Sequence, residues 1–493
     1  MSGRSIRSVL IANRGEIAVR ILRTLHGLGL RGIVVHHAVD ANTPAVSLAD
    51  NAIEIFGPTP VAAYLDGAQI IAAATTAGAD AVHPGYGFLS ENADFARACG
   101  AAGLVFVGPK PVTIELMGDK VRARNFVAER GFPVAPSAIE DDDPASFADR
   151  ARALGAPLLI KPSAGGGGKG MRIVRDLTVL DEELERGRNE GARYFGDGRL
   201  FVERYIEQPR HIEVQVLGDA YGDVVHLFER ECSLQRRFQK VVEEAPSPTL
   251  SEGERARICG VAAGIAKAAG YLGAGTVEFI YGRDEFYFLE MNTRIQVEHP
   301  VTEEITGVDL IAEQLRVAAG EPLGYGQDAI IANGHAIEVR VYAEDAARDF
   351  APTTGPLLVM RPPQGEGVRV DAGVAQGGAI TAAFDPMIAK LIVHAETRTG
   401  ALERADAALA DFVILGCPTN IGYLRRLLRD PDVRAGAIHT GLIGAKPALA
   451  EDPPVADKTR LKLLAAAALS SRPVRDAAQT APAPHAAIGE WRN

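Results

Sequence analysis

With 493 residues, the chain is long enough for about three packing units of roughly 150 residues each. Hydrophobic residues make up 47% and charged residues 23%, the balance of a globular protein with ample core-forming material. A formal net charge of -11 counts against nucleic acid or an anionic membrane as partner. The first residues, MSGRSIRSVLIANRGE, lack the apolar core and cleavage site of a signal peptide. No run of about 18 uninterrupted apolar residues exists, so no membrane span is expected. Cys99, Cys232, Cys259 and Cys417 are too far apart for a zinc site and are read as free buried thiols. A cytoplasmic location is therefore expected.

Residues 1–117 alternate short apolar runs with helical patterns: SVLIAN, EIAVRILRTLHGL, GIVVHH, AQIIAAATTAG, AVHPG. That alternation predicts a parallel α/β layer. It resembles half of a Rossmann fold, but its first turn, NRGEIA, lacks G-x-G-x-x-G, so a dinucleotide site is not expected. Over 118–206 the pattern changes to a small α+β module. Helix DKVRARNFVAERG and helix PASFADRARALG precede strand PLLIKPS, a glycine loop, strand MRIVRD, a charged helix and strand LFVERYI. Over 207–445 strands dominate, among them HIEVQVL and VVHLFER around GDAYGD, then GTVEFIY and FYFLEMN around GRDE. Residues 446–493 turn to Ala and Pro, with one short helix (DKTRLKLLAAAALSSR) and then a linker-like PVRDAAQTAPAPHAA.

Four features carry chemistry. Between Lys161 and the strand MRIV lie Gly165, Gly166, Gly167, Gly168, Lys169 and Gly170. Glycines let backbone N–H groups approach an anion, and a strand–loop–strand flap over phosphates fits better than a Walker loop, which needs Ser or Thr after GK. In the second feature, Glu290, Asn292, Arg294, Gln296 and Glu298 fall at every second position, which in an extended chain lines one face with polar groups. Third, a hairpin through YGRDE could bring Glu278 near Glu290, and two carboxylates with an amide oxygen suit Mg²⁺ shared with substrate phosphates. Fourth, Gln235-Arg236-Arg237-Phe238-Gln239-Lys240, before Glu243 and Glu244, reads as a clamp for small anions. Taken singly, these could also be a hairpin tip, the wet face of an edge strand, a structural ion pair and a solvated basic face.

Together they resemble the biotin carboxylases, members of the ATP-grasp superfamily. GGGGKGM, RHIEVQ, ERECSLQRR, QKVVEEAP, GAGTVEF and EMNTRIQVEHPVTE look like that family's signatures, with HPGYGFLSEN near the front. They occur in order and span about residues 6 to 445. The resemblance implies an α/β and α+β architecture. It comprises an N-terminal Rossmann-like domain (1–117), a mobile ATP-grasp lid (118–206), the ATP-grasp core with a mixed C-terminal domain (207–445), and a helix with linker (446–493).

It also implies an activity: ATP- and Mg²⁺-dependent carboxylation of biotin by bicarbonate through carboxyphosphate, with Mn²⁺ a possible substitute. Lys120 and Lys161 would hold ATP phosphates under the flap glycines Gly165 to Gly168. Glu203 and Ile206 would meet adenine, and His211 and Gln235 would make other nucleotide contacts. Glu278, Glu290 and Asn292 would carry the metal. Bicarbonate would sit between Lys240, Arg294 and the Gln296-Val297 backbone, with Glu298 as its base. Arg340 would stabilise the biotin enolate, and Tyr86 and Gly87 would lie near the biotin ring. Asp385 falls in a family motif without an assigned role. Two departures stand out: Phe238 where the family usually has histidine, and Ala164 where the glycine run commonly begins.

The rival readings are another ATP-grasp carboxylate ligase and a catalytically silent nucleotide-binding homologue. Biotinylated lysines usually sit in Met-Lys-Met, and none of the six methionines precedes a lysine. A biotin carrier domain or protein and a carboxyltransferase (β) subunit are therefore expected partners, in a likewise expected oligomer. The GEWRN ending suggests an acyl-CoA carboxylase α subunit whose carrier lies beyond Asn493, with a stand-alone biotin carboxylase as alternative.

Overall fold

The computed structural model describes residues 5–163, 170–282, 284–454 and 456–470. One compact unit runs to Leu449. Beyond it, helix Asp457–Ser470 is described by itself. Among the described residues no helix is long and apolar enough to cross a membrane, and all four cysteines are buried and free.

The N-terminal part is a parallel sheet of β1 (Ser8–Ile11), β2 (Arg31–His36), β3 (Asn51–Glu54), β4 (Ala81–His83) and β5 (Val105–Phe106). Its order is β3-β2-β1-β4-β5, the crossover pattern of a Rossmann half, and ligands of such sheets gather at the strands' carboxyl ends. Those ends are tied together here. Asn13, just after β1, donates from Nδ2 to the Pro84 and Tyr86 carbonyls, both at 2.7 Å. Gly85 must be glycine for this approach, since its φ is +61° and a Cβ would sit 2.8 Å from Asn13 Nδ2. Helix α1 (Gly15–Gly27) buries Ile17, Ala18, Ile21, Leu22 and Leu25 along one stripe, which packs it against the sheet.

A four-stranded antiparallel sheet follows, with β6 (Ser137–Ile139), β7 (Leu158–Pro162), β8 (Arg172–Val174) and β9 (Leu200–Arg204) in the order β6-β9-β7-β8. Helix α2 (Leu180–Phe195) covers it, and Phe147, Ile160, Leu184 and Val202 form its own small core. The predicted glycine flap, Gly165 to Gly168, joins β7 to β8 and lies outside the described residues.

The largest sheet has eight antiparallel strands. In chain order they are β10 (Arg210–Gly218), β11 (Val224–Arg236), β12 (Gln239–Ala245), β13 (Gly273–Gly282), β14 (Glu285–Asn292), β15 (His335–Tyr342), β16 (Val368–Ala372) and β17 (Met387–Ala395). Spatially they run β14-β13-β10-β11-β12-β15-β17-β16. Helix α3 (Glu252–Ala268), which begins with a full Ser251–Glu254 capping box, supplies Ile258, Ala262 and Ile265 to the core beside β10 and β13. Helices α4 (His299–Thr306) and α5 (Arg398–Asp411) pack against the strands at the other end.

One expectation fails. Residues 290–298 do not form a single extended face: β14 stops at Asn292, the chain bends through 293–297, and Glu298 caps α4. Pro300 near the start of α4 suits a helix opening, because its missing N–H is an orphan there anyway. The polar groups still converge, but around a strand-to-helix turn.

Candidate active site

Register explains how the charges meet, since in-register partners in a sheet project from one face. Arg230, Glu213, Glu278 and Glu290 are successive partners across β11, β10, β13 and β14. Glu243 on β12 pairs with Glu338 on β15, and Arg340, two residues along, pairs with Lys390 on β17. The β11–β12 hairpin closes through Arg237 and Phe238, both at positive φ (50° and 67°), the mirror-image turn that matches strand twist. That turn places Lys240 beside Gln235, pointing into the same face.

Lys240 is the hub. Its Nζ lies 2.5 Å from Glu213 Oε2, 2.5 Å from Glu298 Oε1 and 3.2 Å from Glu278 Oε1. Arg340 donates from Nε to Glu243 Oε1 at 2.7 Å and from Nη2 to Glu298 Oε2 at 3.1 Å. Burial would push the Glu298 carboxyl up, but Lys240, Arg340 and Arg230 outweigh it and hold Glu298 far below the usual range. Burial works against the Lys240 ammonium too, yet Glu213, Glu278 and Glu298 raise it well above its ordinary value. Glu298 is thus a buried carboxylate that stays ionised.

The remaining residues fall around this hub. Gln296 donates to Glu278 Oε1 at 2.6 Å and accepts from fully buried Arg230 at 2.9 Å. Arg294 reaches Glu91 Oε2 at 3.0 Å and Asn292 Oδ1 at 2.9 Å. The Val297 carbonyl accepts from Lys390 Nζ at 2.7 Å. Val297, Arg340, Tyr86, Glu16, Arg14 and Phe384 help line a cavity of about 400 Å³, large enough for a small bicyclic ligand. Tyr86 donates its hydroxyl to Glu16, and Gly87 and Asp385 line the same cavity.

Of the nucleotide candidates, some adjoin this hub and others lie in the four-stranded sheet. Lys120 pairs with Glu290 at 3.1 Å. Lys161 pairs with Glu203 in the four-stranded sheet. Ile206 lies against Gly282 of β13, so closely that a Cβ there would come within 2.6 Å of its Cγ2. His211 contacts Glu278 Oε2 at 2.6 Å, and Gln235 sits beside Lys240.

Glu278, Glu290 and Asn292 carry carboxylate and amide oxygens of the kind a hard cation takes, and here the Asn292 Oδ1 accepts from Arg294. The two carboxylates are strand partners, and Asn292 Nδ2 is 2.7 Å from Glu278 Oε1. A cationic group already stands on one of them, Lys120 on Glu290, and the His211 imidazole contacts Glu278. Burial opposes charge on His211, but Glu278 overrides it and raises the imidazole's proton affinity.

Several charged groups near these residues were not singled out from the sequence: Glu213, Arg230, Glu91, Glu16, Glu338 and Lys390. A charge standing alone between apolar neighbours, as in HIEVQ and HAIEV, was the available signal.

Comparisons with known proteins agree over residues 5–445. Three family descriptions match in succession: biotin carboxylase, N-terminal domain, over residues 5–114; carbamoyl-phosphate synthase L chain, ATP binding domain, over 119–325; and biotin carboxylase C-terminal domain over 338–445. A biotin carboxylase of Halalkalibacterium halodurans is 48% identical over 441 residues, covering 89% of this chain and 97% of that one. The biotin-dependent acyl-coenzyme A carboxylase alpha3 subunit of Mycobacterium leprae is 48% identical over 444 residues, 88% of this chain and 74% of its own. The biotin carboxylase domain dimer of Hydrogenobacter thermophilus 2-oxoglutarate carboxylase, solved with MgADP, ADP and bicarbonate, superposes with a TM-score of 0.85 at 43% identity. That match covers 92% of this chain and all of that domain.

Proposed function

The chain belongs to the biotin carboxylase family, and from that premise we propose that it carboxylates biotin with bicarbonate and ATP. The observation that carries the reading is Glu298, buried at the start of α4 between Lys240 and Arg340.

Bicarbonate is an anion that must lose a proton to attack the γ-phosphate. Lys240 and Arg294 attract it, the Gln296-Val297 backbone orients it, and Glu298 accepts the proton. A carboxylate is a useful base only while ionised, and the cations around Glu298 keep it so. Glu278, Glu290 and Asn292 would hold Mg²⁺, which supplies charge neutralisation to the ATP phosphates. Lys120 and Lys161 would exchange their carboxylate partners for phosphate oxygens, with Gly165 to Gly168 as the covering flap. Glu203 and Ile206 would flank adenine, and His211 and Gln235 would complete the nucleotide contacts.

Biotin would occupy the cavity that Tyr86, Gly87, Val297 and Arg340 help line. As negative charge grows on the ureido oxygen, a guanidinium already held in place stabilises it without reorganisation. The chain's similarity to an acyl-coenzyme A carboxylase subunit supports the finer reading that it serves such a complex, with a carrier domain and a carboxyltransferase as partners.

The test is ADP release with Mg-ATP, free biotin and bicarbonate, against controls lacking either small molecule and against Glu298→Gln. Turnover that needs both and falls about 100-fold or more in the variant is expected for loss of a general base. ATP turnover indifferent to bicarbonate and biotin would overturn the proposal.

A further inference from the structure

Behind Glu298 and Arg340, the same face carries a carboxyl that this mechanism leaves idle. Glu338 is fully buried on β15, and among the described residues neither of its oxygens has a hydrogen-bond partner. Its register partner on β12 is Glu243, whose Oε2 is also without one while Arg340 occupies Oε1. On its other side stands apolar Ile392. Lys390 serves the Val297 carbonyl and pairs with Glu16 at 3.3 Å. Two neighbouring buried carboxyls with three orphan oxygens form an arrangement that anions cannot sustain, because each lost partner leaves a desolvation penalty uncompensated. One hydrogen between them removes the conflict.

We propose that Glu338 is a positioning residue that works as a neutral carboxylic acid, donating its hydrogen to the free oxygen of Glu243 and so fixing the anion that holds Arg340. The role given to Arg340 rests on the biotin carboxylase reading. The groups facing Glu338 are Lys390 from β17, Glu243 from β12, Arg340 on its own strand and Glu298 at the start of α4. Tyr86 and Glu16 lie behind them. Burial, the largest influence, with Glu243 and Glu298, outweighs Lys390 and Arg340 and raises the Glu338 carboxyl well above its ordinary value. Ionising it would put a second anion beside Glu243 and draw Arg340 away from Glu298.

Glu338→Gln tests this, because the amide keeps a donor and cannot ionise. The first readout needs no turnover: an infrared difference spectrum of wild type minus variant at neutral pH. A protonated-carboxyl carbonyl band lost in the variant is expected, and loss of an ionised-carboxylate band instead would overturn the proposal. The second is kcat from about pH 6 to about pH 9, where the variant should stay within about threefold of wild type at neutral pH and be less depressed at high pH. A loss of 100-fold or more at every pH would mean the anion is required and would sink the idea. If neither protein carboxylates biotin, the infrared result still decides the proton's place and only the biotin reading falls. Should Glu338→Gln fail to fold, Glu338→Met is read by unfolding. A raised carboxyl contributes stability at low pH that is lost as pH rises, so a shallower alkaline loss supports the proposal and an unchanged loss overturns it.

Discussion

The two faces of the eight-stranded sheet bury carboxylates equally well, and on each face carboxylates at the same depth are charged differently. On the face of Lys240, Glu298 touches two cations and stays ionised. On the opposite face, Glu231 is just as buried, but its partners are the hydroxyls of Ser233 and Ser247, the latter at 2.8 Å, and the nearest guanidinium, of Arg210, is 3.7 Å away. Burial pushes that carboxyl up to about 7. Its strand neighbour Glu244, held by Arg398 at 2.6 Å and His335 at 2.7 Å, is lowered despite equal burial. Depth alone therefore says little about protonation. The balance of cations against burial and neighbouring carboxylates decides it: Glu213 and Glu243 are raised although Lys240, Arg230 and Arg340 touch them, whereas Glu298, on the lysine that serves three carboxylates, is lowered.

Removing that lysine is the strongest way to break the contrast. Lys240→Met leaves Glu213, Glu278 and Glu298 without their shared cation, and breaking a buried pair in this way costs roughly 3–5 kcal/mol. Urea unfolding should show that loss, and ADP release should fall at least as far as in Glu298→Gln, since Glu298 left with Arg340 alone is less able to stay ionised. A stable variant would mean that Arg230 and Arg340 suffice to compensate the cluster.

A smaller effect, of opposite sense, is expected across the sheet. A carboxyl raised in the folded state adds stability fully present below its unfolded value and lost as pH climbs through the folded one. Glu231→Gln, which cannot ionise, should match wild type near pH 4.5 and gain on it up to about pH 7, by at most about 1.4 kcal/mol per pH unit. Thermal midpoints across that range check it. Parallel curves would show that Arg210 closes on Glu231 in solution and that the two faces are alike.

Much of this was legible in the sequence. Near-continuous apolar runs such as SVLI and GIVV marked the parallel layer, because strands covered on both faces need not alternate. Lys240, Glu278, Arg294, Gln296, Glu298 and Arg340 were singled out through motifs, and hydrogen bonds through Asn292 and Glu278 link them in the structure. Glu213 and Glu338 escaped for a physical reason: in HIEVQ and HAIEV a charge alternates with apolar residues, the pattern of a half-exposed strand. Both faces of those strands are in fact buried, Glu213 and Glu338 completely. The same preference for alternation produced the extended reading of 290–298, where a strand end, a bend and a helix cap bring the groups together.

The smallest effect concerns Phe238, the residue standing where the family usually has histidine. It occupies the tip of the β11–β12 turn at φ 67° and is 66% exposed, so it does no core packing. A left-handed backbone costs an ordinary L-residue roughly 1–2 kcal/mol, and asparagine tolerates it better. Phe238→Asn should therefore raise the unfolding midpoint slightly, by no more than about 1 kcal/mol, while Lys240 keeps its three carboxylates. Phe238→His should be close to neutral in stability, because it leaves the backbone conformation equally strained. If either variant shifts the KM for ATP several-fold with stability unchanged, the turn reaches the nucleotide, and the reactive face extends past Lys240 to the hairpin tip. If neither does, the face ends at Lys240, and the exchange of histidine for phenylalanine is outside the chemistry.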